Sequence, residues 1–200
     1  MTQTQMNPTN TELLTAAAQL SDAFSGRAAE FDEARRLSQD ASDAMAQAGF
    51  YRLFVPKHLG GLEASPLVSA KIFERLAQGN AACGWVAFIA ATSGSTLGNI
   101  PEDTARAIFS HPNTMVAGVF APSGKATVNA GEVTVDGRWQ WGSGTQNADW
   151  VLGGSLVDNG GDKPSQHMIL MPAQQVEFLD TWHVSGLQGT GSTDYEVKNL

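Results

Sequence analysis

A single change of period along the chain constrains its fold more than any other feature. Up to about Pro112 the apolar residues recur at helical spacing; from about Asn113 they alternate, between glycine-rich turns. The order reads as an α+β protein: an all-α N-terminal domain over residues 1–112, then a β-domain over 113–200 built as a barrel or sandwich. Residues 1–10 are polar and expected to be disordered.

The helical part is punctuated by local signals. Thr9 and Glu12 have capping-box spacing ahead of Leu13, Leu14, Ala17, Leu20 and Phe24. A second helix carries Phe31, Ala34, Leu37, Ala41, Met45 and Ala48 on one face and stops at Gly49. Ser65-Pro66 opens a third, with Val68, Ile72 and Leu76 inward. The apolar run Ala81–Ala91, containing Trp85, reads as a buried helix too short to span a bilayer. A short helix starts at Pro101, with Glu102 and Asp103 where the helix dipole favours acids. In the second half, Asn129-Ala130-Gly131 between Val128 and Val133 is a hairpin signal. Strands are expected at 115–120, 150–157, 167–171, 176–179 and 195–200, and Trp139 and Trp141 alternate with Arg138 and Gln140.

Composition excludes several classes of function. The net charge is −8, so anionic partners such as nucleic acid or membrane surfaces gain no general electrostatic attraction. Cys83 is the only cysteine, which rules out an intrachain disulfide. The four histidines, His58, His111, His167 and His183, lack ligand spacing, so no metal site is expected. The first ten residues have neither a basic segment nor an apolar run, so no signal peptide is expected, and the cytoplasm is the simplest location.

Phosphate-loop, serine-hydrolase and zinc-protease motifs are missing from the sequence, and two segments stand out. Trp139-Gln140-Trp141-Gly142-Ser143-Gly144-Thr145 sets indoles beside a small hydroxyl and two glycines. Such a group can stack a flat ring system and hydrogen-bond its edge, or it can be core tryptophans and a tight turn. Trp85, with Ser93, Ser95 and Thr96 further along, lines either a cavity or simply the core; hydroxyls in such a helix often bond back to the preceding turn.

At these residues the chain resembles the acyl-CoA dehydrogenase superfamily. The resemblance runs from about Arg27 to the end, through 48–56 with Gly60-Gly61, through Phe73-Glu74-Arg75-Leu76-Ala77 and Cys83-Gly84-Trp85, and through Phe120-Ala121-Pro122-Ser123-Gly124-Lys125-Ala126. It continues in Trp141-Gly142-Ser143-Gly144 and in Gly186-Leu187-Gln188-Gly189-Thr190-Gly191-Ser192. Two departures choose the branch. Where dehydrogenases have a threonine-glutamate-proline motif this chain has Ala121-Pro122, and Trp-Gly-Ser-Gly replaces tryptophan-isoleucine-threonine. Both forms resemble the oxygenase components of two-component aromatic hydroxylases; acyl-CoA dehydrogenase itself, or a non-catalytic scaffold of the same fold, are the alternatives. Gln188 replaces an arginine usual in the last element, and Ser93 stands near where phenol-hydroxylating relatives often place a histidine.

The resemblance implies a reduced flavin cofactor, FMN or FAD, delivered by a separate flavin reductase, and a small aromatic substrate hydroxylated by oxygen through a flavin hydroperoxide. It implies that Trp141 packs on the ring system and that Ser143, the residue nearest the chemistry, bonds N5, with Gly144 beside it. Phe120 and Ala121 would line the pyrimidine edge, while Trp85 and Ser123 would face the substrate. The family continues into a C-terminal four-helix bundle that closes the flavin site and forms most of a homotetramer interface; this sequence stops short of it.

Overall fold

The computed structural model describes residues 8–161 and 163–200. Among the described residues, six α-helices precede a mixed sheet of six strands, in the order that the change of period predicts. The disorder expected for residues 1–10 falls mostly outside the described residues; of the others, Thr9 and Asn10 are already at the head of a helix.

Helix α1 (Asn10–Phe24) is opened by the full capping box: the Thr9 hydroxyl accepts from the Glu12 amide, and the Thr9 amide donates to Glu12 Oε2 at 2.7 Å. The second expected helix is in fact two, α2 (Ala28–Ala34) and α3 (Gln39–Gln47). Arg35 turns left-handed at φ 50° and ends α2, and the two pieces are tied by Arg27, whose guanidinium reaches Glu30, Ser38 and Asp40. Nothing in a 3.6-residue pattern reports such a break, because the apolar face resumes after it in nearly the same phase. Helix α4 (Pro66–Gly79) is capped by Ser65, and α5 (Ala81–Ser95) by Asn80, whose side-chain Oδ1 accepts from the Ala82 and Cys83 amides. Helix α6 (Glu102–Ile108) completes the set.

With the turn that follows it, α5 makes a continuous stretch, Ala81–Asn99, of 19 residues, long and apolar enough by length and composition to cross a membrane. That corrects the shorter span read from the sequence. Its neighbours explain the apolarity: Cys83, Val86, Ala87, Ala90 and Ala91 are wholly buried in the helical core.

The strands β1 (Val116–Asn129), β2 (Glu132–Gly142), β3 (Trp150–Asp158), β4 (Ser165–Pro172), β5 (Glu177–Leu179) and β6 (Thr193–Val197) lie in the order β4-β3-β1-β2-β6-β5. The expected hairpin is present, Asn129 pairing with Glu132 across Ala130-Gly131. The parallel pairing of β1 with β3 is new relative to the sequence reading; every other neighbour pair is antiparallel. Trp139 is the centre of the sheet's core. It stacks on Tyr195 with ring centroids 5.3 Å apart and donates from Nε1 to the Gly154 carbonyl at 2.7 Å. Its ring lies on Gly124, Gly137 and Gly153, where a Cβ would come within 2.4 to 2.8 Å of it. The helical and sheet parts share cores: Met115 and Ala117 enter the helical cluster, and Val116 and Leu152 pack with α6 residues Ala105 and Ile108.

Candidate functional site

The site begins with an irregularity at the end of β2. Trp139 pairs with Tyr195 of β6, but the next pair is Gly142 with Thr193, so Gln140 and Trp141 face the single residue Asp194. This is a β-bulge, which bends the strand and re-aims a side chain. Trp141 takes up the bend at φ 63°, a left-handed conformation that costs a residue other than glycine about 1–2 kcal/mol. Strict alternation would put both indoles on one face. Instead Trp139 is fully buried and Trp141 is 71% exposed. The core reading left open in the sequence holds for Trp139, while the exposed Trp141 is not a core residue and leaves the stacking reading to be tested. Strain of this kind, holding a large apolar ring in the open, is a reason to look for a ligand.

Past the bulge the chain turns inward. The Ser143 amide donates to the Trp141 carbonyl at 2.9 Å, and the Gly144 amide donates to the Thr190 carbonyl at 2.8 Å. Gly144 is left-handed at φ 72°, and a Cβ there would come 2.9 Å from the Met115 methyl, so only glycine suits the position. Ser143 is thereby buried, with its Oγ accepting from Trp85 Nε1 at 2.9 Å. Trp85 stands on the rim of α5 and is 45% exposed, with Phe88 beside it at 5.5 Å between ring centroids. The helix is buried along most of its length, as expected, with Trp85 and Phe88 as its exposed aromatic residues. Further along, Thr92, Ser95 and Thr96 bond back to the preceding turn, the structural role expected for such hydroxyls; Ser93 is buried.

The Ser143 hydroxyl continues into a chain of hydroxyls. Ser192 Oγ lies 2.6 Å from Ser143 Oγ and 2.6 Å from Thr190 Oγ1, and Thr190 Oγ1 donates to the Leu187 carbonyl at 2.9 Å. In the sequence, Thr190 and Ser192 belong to the glycine-threonine-serine element of the family resemblance; their signal is a hydroxyl either side of Gly191. Among the described residues the hydrogen-bond partners of the Ser143 hydroxyl are an indole N–H and a second hydroxyl. This arrangement suits a group that positions and hydrogen-bonds.

The remaining expected residues form a second bulged segment. The β1–β3 ladder shifts between Val119↔Gly153 and Gly124↔Ser155, leaving Phe120, Ala121, Pro122 and Ser123 against Gly154 alone. All four are exposed, Phe120 at 48%. A Cβ on Gly154 would come 2.2 Å from the Phe120 carbonyl oxygen. Among the described residues no hydrogen bond or ring contact joins Phe120, Ala121 or Ser123 to Trp85, Trp141 or Ser143. The structure thus brings Trp85 and Ser143 into contact and sets Trp141 next to Ser143 by backbone. Gln188, in place of the usual arginine, donates to the Val184 carbonyl at 2.6 Å.

Comparison with known proteins adds the following. Residues 8–101 match the family model of the acyl-CoA dehydrogenase N-terminal domain. The chain is 35% identical over 176 residues to an indole-3-acetate monooxygenase of Pseudomonas putida, covering 87% of this chain and 45% of that protein. It is 30% identical over 177 residues to the flavin-dependent monooxygenase oxygenase subunit HsaA of Rhodococcus jostii, covering 87% of this chain and 46% of that one. The crystal structure of the HsaA monooxygenase from M. tuberculosis superposes with a TM-score of 0.88 at 29% identity, over 96% of this chain and 50% of the other. The chain spans about half the length of the curated relatives it matches.

Proposed function

We propose that the chain is a member of the acyl-CoA dehydrogenase superfamily, on its flavin-dependent monooxygenase branch, and part of an oxygenase component that hydroxylates a small aromatic compound. The observation that carries the proposal is the strained, solvent-facing Trp141 two residues from a buried hydroxyl held by Trp85. The residues suit a flat tricyclic ring: an exposed indole for its face, and a hydroxyl with a lone pair to spare for its edge. Reduced FMN or FAD, delivered by a flavin reductase, would supply the electrons that activate oxygen, through the hydroperoxide expected from the resemblance.

The chain's own part is to bind and to shield. Trp141 packs on the ring, Ser143 meets N5, and Gly144 keeps the backbone close. Phe120 and Ala121 lie along the pyrimidine edge. Trp85 and Ser123 face the aromatic substrate. The exposed aromatic side chains exclude water once covered, which suits a reactive oxygen-transfer step. The family's C-terminal bundle would provide that cover and the homotetramer contacts, and the cytoplasm is the proposed location.

Incubation with chemically reduced FMN, oxygen and a panel of phenols and indoles tests the proposal by mass spectrometry. Gain of one oxygen atom by an aromatic is expected, and Ser143→Ala should divert more of the reduced flavin to hydrogen peroxide. Bleaching of bound FAD by an acyl-CoA would instead favour the dehydrogenase, and neither flavin binding nor product would leave a scaffold of the same fold.

A further inference from the structure

The hydroxyl chain behind Ser143 has a direction. At one end stands the Trp85 indole N–H, which can only donate; at the other stands the Leu187 carbonyl, which can only accept. Between them three hydroxyls each have one proton to give. Four hydrogen bonds are made only if the protons run one way: Trp85 to Ser143, Ser143 to Ser192, Ser192 to Thr190, Thr190 to the Leu187 carbonyl. Reversing the middle of the chain leaves the Thr190–Leu187 side-chain bond without its proton and turns the Ser143 proton outward, with no partner among the described residues. The favoured polarity keeps that proton inside. Ser143 then shows its surroundings a lone pair, having used one on Trp85.

We propose that Ser192 and Thr190 are positioning residues that fix Ser143 as a hydrogen-bond acceptor and so make the site prefer reduced over oxidised flavin. The inference rests on the reading that Ser143 meets flavin N5. In the reduced ring N5 carries a hydrogen and donates; in the oxidised ring it is bare and accepts. A hydroxyl whose proton is held on the inner side matches the first and leaves the second unpaired, unless the relay gives up a bond. The preference contributed is about fivefold, the weight of one net hydrogen bond.

The test is anaerobic titration of the protein with reduced FMN, and aerobic titration with oxidised FMN, read by tryptophan fluorescence. The ratio of the two dissociation constants is compared among wild type, Ser192→Ala, Thr190→Val and Thr190→Ser, each first shown to melt cooperatively. Ser192→Ala removes the acceptor of the Ser143 proton. Thr190→Val keeps the Ser143–Ser192 contact but removes the bias along it, so it separates polarity from mere packing. Both should lower the preference for reduced FMN about fivefold, and Thr190→Ser should restore it. An unchanged ratio in the folded Val variant overturns the relay while leaving the flavin site standing. Failure of wild type to bind either form overturns the site itself, and the relay's role with it.

Discussion

Trp139 and Trp141 are chemically identical residues two positions apart that the sequence treats alike, and the structure gives them opposite environments. Trp139 is held by Tyr195, by a hydrogen bond to Gly154 and by a floor of glycines, so its truncation to alanine should cost about 3–5 kcal/mol. Trp141 buries little of its ring and sits in a left-handed conformation, so Trp141→Gly should leave the stability within about 1 kcal/mol of wild type, the relief of strain offsetting the freedom of glycine. Thermal or urea melts of the two variants check this directly. If Trp141→Gly were as damaging as Trp139→Ala, Trp141 would be a structural residue. At this scale the sequence made residue types legible but not directions. Period two has no term for a bulge, and the Trp85–Ser143 contact joins residues 58 positions apart that no local pattern links.

Elements were more legible than residues, because caps and turns are local chemistry. Thr9-Glu12, Ser65-Pro66 and Asn129-Ala130-Gly131 each do in three dimensions what their side chains and backbone dictate in one. The break between α2 and α3 is hidden because the apolar face resumes in phase across it, and the parallel β1–β3 pair because it joins distant segments. Arg35, which ends α2, reaches Asp180 at 2.5 Å across 145 residues. The division near Pro112 into two domains remains our proposal, set against cores that cross it at Met115, Val116 and Ala117. The glycines of β1, β2 and β3 belong to this scale, since they let three strands accept one indole. Gly153→Ala places a methyl 2.6 Å from the Trp139 ring and should destabilise the protein by about 1–3 kcal/mol, read as a lower urea midpoint with an unchanged slope. Wild-type stability in that variant would mean that the indole does not rest on this floor.

Over the whole molecule, burial of ionisable groups sets a limit on the alkaline side. Burial pushes the Cys83 thiol up to about 12, from an ordinary 9.0, and raises both the Tyr51 and Tyr195 phenols above their usual range. Each raised group ionises first in the unfolded chain, which therefore holds fewer protons than the folded one. Stability from Cys83 is complete below pH 9 and is lost as the pH rises towards about 12, at about 1.4 kcal/mol per pH unit. A melting temperature that falls from pH 9 upward, with Cys83 unreactive to thiol reagents at pH 8 until the protein unfolds, is the expected pattern. A thiol labelled readily in the native state would contradict the burial.

The same scale decides the central claim, that a reduced flavin lies on the indole that the β2 bulge holds in solvent. Anaerobic titration of reduced FMN into wild type and Trp141→Gly measures it most directly. Wild type should bind, and the variant, melting like wild type, should bind roughly 30- to 150-fold more weakly, the loss of a buried stacked aromatic contact of about 2–3 kcal/mol. Equal affinity of the two proteins for reduced FMN would contradict the claim.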